Sequence, residues 1–438
     1  MQAVMSVAGS DSGGGAGVQA DTRTFAALGV YGTTVITAVT AQNTLGVLES
    51  YYIPPDVVID QMNAVFSDID VRCVKTGMLA TAETADAVAD VLSLHKIPIV
   101  VDPVMTAEAA GPLVRGEPRE VFGRLLSEAT TVTPNVREAE ALSGIQIRDL
   151  DDMKRAAYEI YGLGPKSVIV TGGHLGGTDV VYNGDFEMLK GKLIEGGTHG
   201  AGCTFSAAVA AFLAKGYDIT HSAKMAKAFA TEGIRNSERI GSGTGVVSQL
   251  AATLDMAERY LTVLNIEEAL RTIKTISVEL LPEVGSNLAM AISRAKTTAE
   301  VAAVKGRIIK VEETATPVGC VAFGASHHVA RVVLAALTFD ANMKSAMNVR
   351  YSEEVIGACQ DLDYVTACFD RAEEPEAASA KEWGTSQAIQ TSIAAGKGMP
   401  EVIYDHGDVG KEPMIRIIGR SAQDVANKVS KISSALKR

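Results

Sequence analysis

The chain has 438 residues, of which 47% are hydrophobic and only 5% aromatic, and its formal net charge at pH 7 is −12. That length exceeds what one hydrophobic core usually serves, so two domains are expected. The acidic balance argues against a nucleic-acid surface, which relies on clustered Lys and Arg.

The uncharged run at residues 24–48 is too rich in Thr, Gln, Asn and Gly for a membrane span. No basic segment precedes the first strand, so no secretory signal is read and the cytoplasm is the expected compartment. Cys73, Cys203, Cys320, Cys359 and Cys368 form no CxxC pair and are odd in number. Neither a zinc site nor a disulfide framework is indicated.

In chain order, residues 3–8 read as an apolar strand entering a glycine-rich loop at 9–17, followed by a helix at 18–28. The loop lacks GxGxxG spacing and the chain lacks GxxxxGK[ST], which excludes the dinucleotide fingerprint and the Walker loop. Further strands are expected at 33–40, 71–76, 97–101, 130–133 and 167–171. They deliver Gln42 and Asn43, Gly77 and Met78, Asp102 to Met105, Pro134 to Glu138, and Gly172-Gly173-His174. Alternating strands and helices predict an α/β fold, with a mainly parallel sheet flanked by helices and a site at the carboxyl edge of its strands. Residues 180–183 and 186–189 read as a hairpin across Gly184-Asp185.

Thr198-His199-Gly200-Ala201-Gly202-Cys203-Thr204 then leads into an apolar helical segment. Glycines permit a tight turn, and the first N–H groups of a helix have no intrahelical partners, so Gly200, Ala201 and Gly202 form a candidate oxyanion and phosphate site. A helix is expected at 222–240, with the loop 241–245 after it. Residues 255–275 have helical spacing, and a second α/β domain is read beyond them. Its expected elements are helices at 289–294, 328–337 and 422–436 and strands at 308–311, 320–324, 346–350, 365–369, 401–405 and 414–419. The expected boundaries are 1–255, a connector at 256–265, and 266–438.

The first domain resembles the ribokinase-like kinases, and within them the hydroxymethylpyrimidine/phosphomethylpyrimidine kinases of thiamine biosynthesis. The motifs in common are Ala8-Gly9-Ser10-Asp11, residues 14–21, Ala41-Gln42-Asn43-Thr44, Gly77-Met78-Leu79, Asp102-Pro103-Val104-Met105, Thr133-Pro134-Asn135, Gly172-Gly173-His174 and residues 199–204. The resemblance implies ATP-dependent phosphorylation of 4-amino-5-hydroxymethyl-2-methylpyrimidine and then of its monophosphate, with Mg²⁺. It implies substrate binding by Gly9, Asp21, Gln42 and Met78, and metal binding by Glu138 with Asp102. Cys203 stands where many ribokinase-like enzymes carry a catalytic aspartate. At a helix N-terminus its thiol is expected to be acidified and to serve as base. Two departures affect the ATP contacts: Thr171 stands where some relatives carry Lys, and the loop 241–245 lacks a His and Pro that others have. Phosphorylation of pyridoxal or a related heterocycle is the alternative.

The second domain resembles the ThiN-type thiamine-phosphate synthase domain through residues 283–287, Gly306-Arg307-Ile308, residues 323–331 and Asn348-Val349-Arg350-Tyr351. Such a domain joins the pyrimidine diphosphate to thiazole phosphate and releases pyrophosphate. Arg307 and His328 are the candidate catalytic pair, since Arg holds phosphate bidentately and His donates to it. Ser326, His327, Arg331 and Arg350 are secondary phosphate candidates, and residues 405–408 form another polar loop. A regulatory thiamine-phosphate-binding module is the alternative. The expected partners are small-molecule pyrimidine and thiazole phosphate substrates, without nucleic acid or membrane; a homo-oligomer is compatible with the sequence. Each candidate also has a plainer reading: Cys203 as a packed helix-start residue, Glu138 as a complement to a helix dipole, Arg307 as surface and His328 as a cap.

Overall fold

Strands that are apolar on both faces require helices on both sides, and both halves of the chain meet that requirement. The computed structural model describes residues 1–107, 111–112, 116–173, 175–371, 383–408 and 412–437. His174 and the acidic segment before Trp383 lie outside the described residues. The chain divides into two units, Met1–Thr253 and Leu254–Arg438.

The strands of the first unit are β1 (Ala3–Asp11), β2 (Tyr31–Asn43), β3 (Gly46–Tyr52), β4 (Val71–Thr76), β5 (Ile99–Val101), β6 (Thr106–Ala107), β7 (Gly111–Pro112), β8 (Thr131–Val132), β9 (Val168–Val170), β10 (Asp179–Tyr182) and β11 (Phe186–Leu189). Its helices are α1 (Gly17–Ala27), α2 (Pro55–Phe66), α3 (Ala82–Ser93), α4 (Pro118–Glu128), α5 (Val136–Ser143), α6 (Leu150–Tyr161), α7 (Ala201–Ala214) and α8 (Ile219–Arg235). The sheet order is β11-β10-β9-β8-β5-β4-β1-β2-β3 among the described residues. From β9 to β2 every pairing is parallel, and the two margins are antiparallel. Met5 and Val7 pack with α2 to α6 on one face, while Val4 packs with α1, α7 and α8 on the other. The sequence reading omits β3. Its exposure shows no regular alternation, so no period-2 signal marks it.

Helix α9 (Ala251–Ile273) contains residues 256–265, the expected connector. The remaining strands are β12 (Leu288–Ala291), β13 (Val301–Val304), β14 (Ile308–Val311), β15 (Thr314–Pro317), β16 (Val321–Phe323), β17 (Ser345–Arg350), β18 (Thr366–Cys368), β19 (Val402–Asp405) and β20 (Met414–Gly419). The remaining helices are α10 (His328–Phe339), α11 (Glu353–Asp361), α12 (Trp383–Ala394) and α13 (Ala422–Ala435). The main sheet runs β16-β13-β12-β17-β20-β19-β18 among the described residues. Residues 288–291 are therefore a strand, where the sequence reads as a helix from 289. Leu288 and Met290 join the core on one face while Ala289 and Ala291 join it on the other. An apolar run buried on both faces carries no alternation to distinguish it from a helix.

Phe122 on α4 is fully buried in the first unit's core. Phe122→Ala is expected to cost about 3–5 kcal/mol, read as a lower midpoint for the corresponding transition in urea unfolding.

Candidate functional site

The carboxyl edge of the first sheet meets the start of α7 around a cavity of about 190 Å³, lined by Gly9, Gln42, Lys75, Met78, Asp102, Glu138, Gly200 to Cys203 and neighbours. Asp11, at the end of β1, organises its wall. Its Oδ2 accepts from the N–H groups of Gly15 at 2.9 Å and Ala16 at 2.8 Å, and its Oδ1 accepts from Gly13 N–H at 2.8 Å. The same Oδ2 shares a hydrogen bond with His199 Nε2 at 3.1 Å, tying the first glycine loop to the turn before α7. Burial alone would raise the Asp11 pKa, but the hydrogen bonds from His199 and the loop hold its carboxyl below the usual range.

Where the two loops meet, neither glycine has room for a Cβ. Gly200 has φ +85°, and a Cβ there would collide with the carbonyl of Gly15. A Cβ on Gly15 would collide with the His199 ring. Across the cavity, Gly9 lies against the Met78 sulfur, and Ser12 Oγ holds the Gln42 backbone by donating to its carbonyl at 2.7 Å and accepting from its N–H at 2.8 Å.

Beneath the cavity lies a buried charge cluster. Lys75 Nζ donates to Asp21 Oδ1 at 3.0 Å and Oδ2 at 2.9 Å and stands 3.8 Å from Asp102 Oδ2. Ser206 Oγ donates to Asp102 Oδ2 at 2.9 Å. Asp21 is fully buried and absent from the cavity lining, so it supports the floor through Lys75 and Ser6, in place of the direct substrate contact expected from the sequence. The expected acidification of Cys203 is also corrected. Burial pushes its thiol up to about 12; Lys75 pulls it down, while Asp102 and Asp21 raise it further. The half-buried thiol is raised by partial withdrawal from water and by the two neighbouring carboxylates, against the pull of a helix N-terminus toward thiolate.

Glu138 forms a reciprocal capping box with Asn135: Asn135 N–H donates to Glu138 Oε2 at 2.9 Å, and Glu138 N–H donates to Asn135 Oδ1 at 3.0 Å. Burial, followed by the charge of Asp102, pushes its carboxyl up to about 8. Two buried carboxylates, one of which raises the pKa of the other, fit a hard cation completed by water or phosphate oxygens. No group of three or more metal-ligating side chains occurs among the described residues.

In the second unit, β13 and β16 are antiparallel, with Val304 opposite Val321 and Gly324 N–H bonded to the Val301 carbonyl. Arg307 follows one end of this ladder and His328 the other, so the expected pair does not converge within one chain. Arg307 has φ +78°, and its guanidinium is tied back to the Val284 carbonyl. Ser326, His327, His328 and Arg331 cluster at the start of α10. Arg350 lies at the opposite sheet edge, lining a groove of about 900 Å³ with Lys310, Tyr351 and Asp408.

Near that edge, Asp405 is fully buried and holds Arg371 at 2.6 and 3.0 Å and Arg416 at 2.8 Å. Rings of Tyr351, Tyr404 and His406 pack beside it. Neither Arg371 nor Arg416 was singled out in the sequence, where only the loop 405–408 marked the region.

The phosphomethylpyrimidine kinase family matches residues 11–248, and the thiamine-phosphate synthase ThiN family matches residues 265–431. A bifunctional thiamine biosynthesis protein ThiDN of Methanocaldococcus jannaschii is 31% identical over 430 residues, covering 98% of each chain. The chain belongs to this bifunctional kinase–ThiN family.

Within the kinase unit, a hydroxymethylpyrimidine/phosphomethylpyrimidine kinase of Rhizobium meliloti is 46% identical over 252 residues, covering 56% of this chain and 95% of its own. The pyridoxal kinase of Staphylococcus aureus, solved with AMP-PCP and pyridoxal, is 35% identical with a TM-score of 0.52, covering 57% of this chain and 94% of that one. The kinase unit therefore has the ribokinase-like α/β fold. No helix among the described residues is long and apolar enough to cross a membrane.

In this bifunctional kinase–ThiN chain the Glu138 carboxyl is raised, so its protonated form is favoured by folding. Its contribution is complete below the ordinary carboxyl range and is lost as pH rises toward about 8. Glu138→Gln is expected to flatten the fall in metal-free stability over that window, measured by urea midpoints at successive pH values. An unchanged slope would contradict the assignment.

Proposed function

We propose that the first unit, residues 1–255, transfers the γ-phosphoryl group of ATP to the hydroxymethyl group of 4-amino-5-hydroxymethyl-2-methylpyrimidine and then phosphorylates the monophosphate to the diphosphate. The second unit, residues 266–438, then joins that diphosphate to thiazole phosphate, giving thiamine phosphate and pyrophosphate, in the cytoplasm. The observation that carries the kinase reading is one small cavity bordered by a ring-sized wall at Gln42 and Met78 and by the phosphate-type turn at Gly200 to Gly202.

In each transfer the acceptor oxygen bonds to the γ-phosphorus as the bond to the bridging oxygen breaks, and ADP leaves with that electron pair. Gly200, Ala201 and Gly202 present donors toward the charge on the phosphoryl oxygens. Gln42 and Met78 take the ring edge and face. In the first transfer Cys203 accepts the hydroxyl proton as thiolate, its own proton having passed to solvent, which the half-buried sulfur reaches through the cavity. Asp102 and Glu138 would hold Mg²⁺, which when bound supplies charge neutralisation at the phosphates. AMP-PCP in the related pyridoxal kinase supports ATP as the donor.

Cys203→Ala is expected to lower kcat by about 100-fold with little change in KM, since a positioned base contributes on that order. Undiminished turnover would eliminate the base role. The likeness to a pyridoxal kinase supports a second reading, phosphorylation of pyridoxal. Comparing kcat/KM for the pyrimidine and for pyridoxal decides between them.

For the second unit, Arg307 and His328 stand at opposite ends of the β13–β16 ladder, so each is tested by itself: synthesis of thiamine phosphate from the pyrimidine diphosphate and thiazole phosphate is expected to fall in each of Arg307→Ala and His328→Ala, and unchanged synthesis in either removes that residue from the site. Binding of thiamine phosphate by the intact chain without any condensation would instead favour the regulatory reading.

A further inference from the structure

A cation with no solvent exposure is expensive, and one held among several carboxylates needs a reason to persist. The Lys75 side chain is 0% exposed, as is that of Asp21. Its strand, Val71-Arg72-Cys73-Val74-Lys75-Thr76, is buried at every position except Arg72. Replacing a buried ion pair by apolar groups of similar volume is often neutral or stabilising. Stability alone therefore does not explain why an ammonium occupies this position.

Its surroundings point to the transfer centre. Lys75 lines the cavity that contains Cys203 and the Gly200–Gly202 turn. One side of the ammonium is saturated by both oxygens of Asp21, which Ser6 also holds, at 2.5 Å. The other side faces Asp102 at 3.8 Å, and Ser206 on α7 fixes that carboxylate. Gly77 leaves the approach open, since a Cβ there would lie 3.0 Å from Lys75 Nζ. Lys75 thus bridges a carboxylate on α1 to a carboxylate at the end of β5, both beneath the atoms that would exchange the phosphoryl group.

We propose that Lys75 is a positioning residue for phosphoryl transfer, its fixed ammonium aligning Asp102 and offsetting carboxylate charge beside Cys203, beyond its pairing with Asp21. This rests on the kinase reading above. An aligned cation close to a site of developing negative charge lowers the barrier without reorganising during the reaction. A lysine that only neutralised Asp21 would become dispensable once Asp21 lost its charge, and the two roles separate on that point.

The test is a double-mutant cycle in the full chain with Lys75→Met, Asp21→Asn and both together, measuring kcat and KM for ATP-dependent pyrimidine phosphorylation alongside thermal melting. Lys75→Met is expected to lower kcat by about 100-fold and to change KM by less than about fivefold. In the Asp21→Asn background it is expected to lower kcat by a further factor of about 10.

Loss of the Lys75 effect in that background overturns the proposal, as does a folded Lys75→Met protein with kcat within about twofold of the parent. Failure of both methionine variants to fold assigns Lys75 to structure and also rejects the proposal. A parent chain that phosphorylates no pyrimidine rejects the kinase reading itself, a result distinct from any of these.

Discussion

The first unit depends on one buried carboxylate that satisfies two loops at once. Asp11 receives N–H groups from its own glycine loop and a ring nitrogen from His199, nearly two hundred residues later. An ionised carboxylate accepting several donors is stabilised in a place where an unpaired charge would be prohibitive. The resulting geometry brings Gly15 against Gly200, where neither position has room for a Cβ. The glycine turn before α7 is therefore built jointly, with the second strand-to-helix connection held against the first.

Desolvation sets the chemistry inside that frame. Asp21, Asp102 and Glu138 are withdrawn from solvent, which raises their pKa values first of all, and the half-buried Cys203 thiol is raised as well. A cation bound among such carboxylates would favour their ionised forms.

The second unit follows a different constraint. Helices cover both faces of its sheet, and the chemically useful side chains are relegated to the two edges. Arg307 and Arg350 belong to one edge and the His327-His328 pair to the other, because β13 and β16 run antiparallel. Asp405 pairs with two arginines at the first edge, and both guanidinium groups lie near the Phe369 ring. That cluster draws Arg371 from the end of β18 and Arg416 from β20, which no local motif connects.

By itself the sequence determined the alternation of strands and helices, the parallel sheet of the first unit, its terminal hairpin and the polar loops at the strand ends. Those features follow from local periodicity and glycine placement, which act over a few residues. The turn at residues 200–203 was legible for that reason, whereas Gln42, Met78 and Glu138 were singled out through the family resemblance. Only tertiary structure decided that residues 288–291 are a strand, that Asp21 supports Lys75 and leaves the cavity lining to others, and that Arg307 and His328 part company. It also decided that Cys203 stands near Lys75, Asp102 and Asp21, whose charges act on its thiol. Burial, pairing register and proximity between distant segments are properties of the packed chain, and desolvation energies of several kcal/mol per buried ion override what a helix terminus or a short motif favours locally.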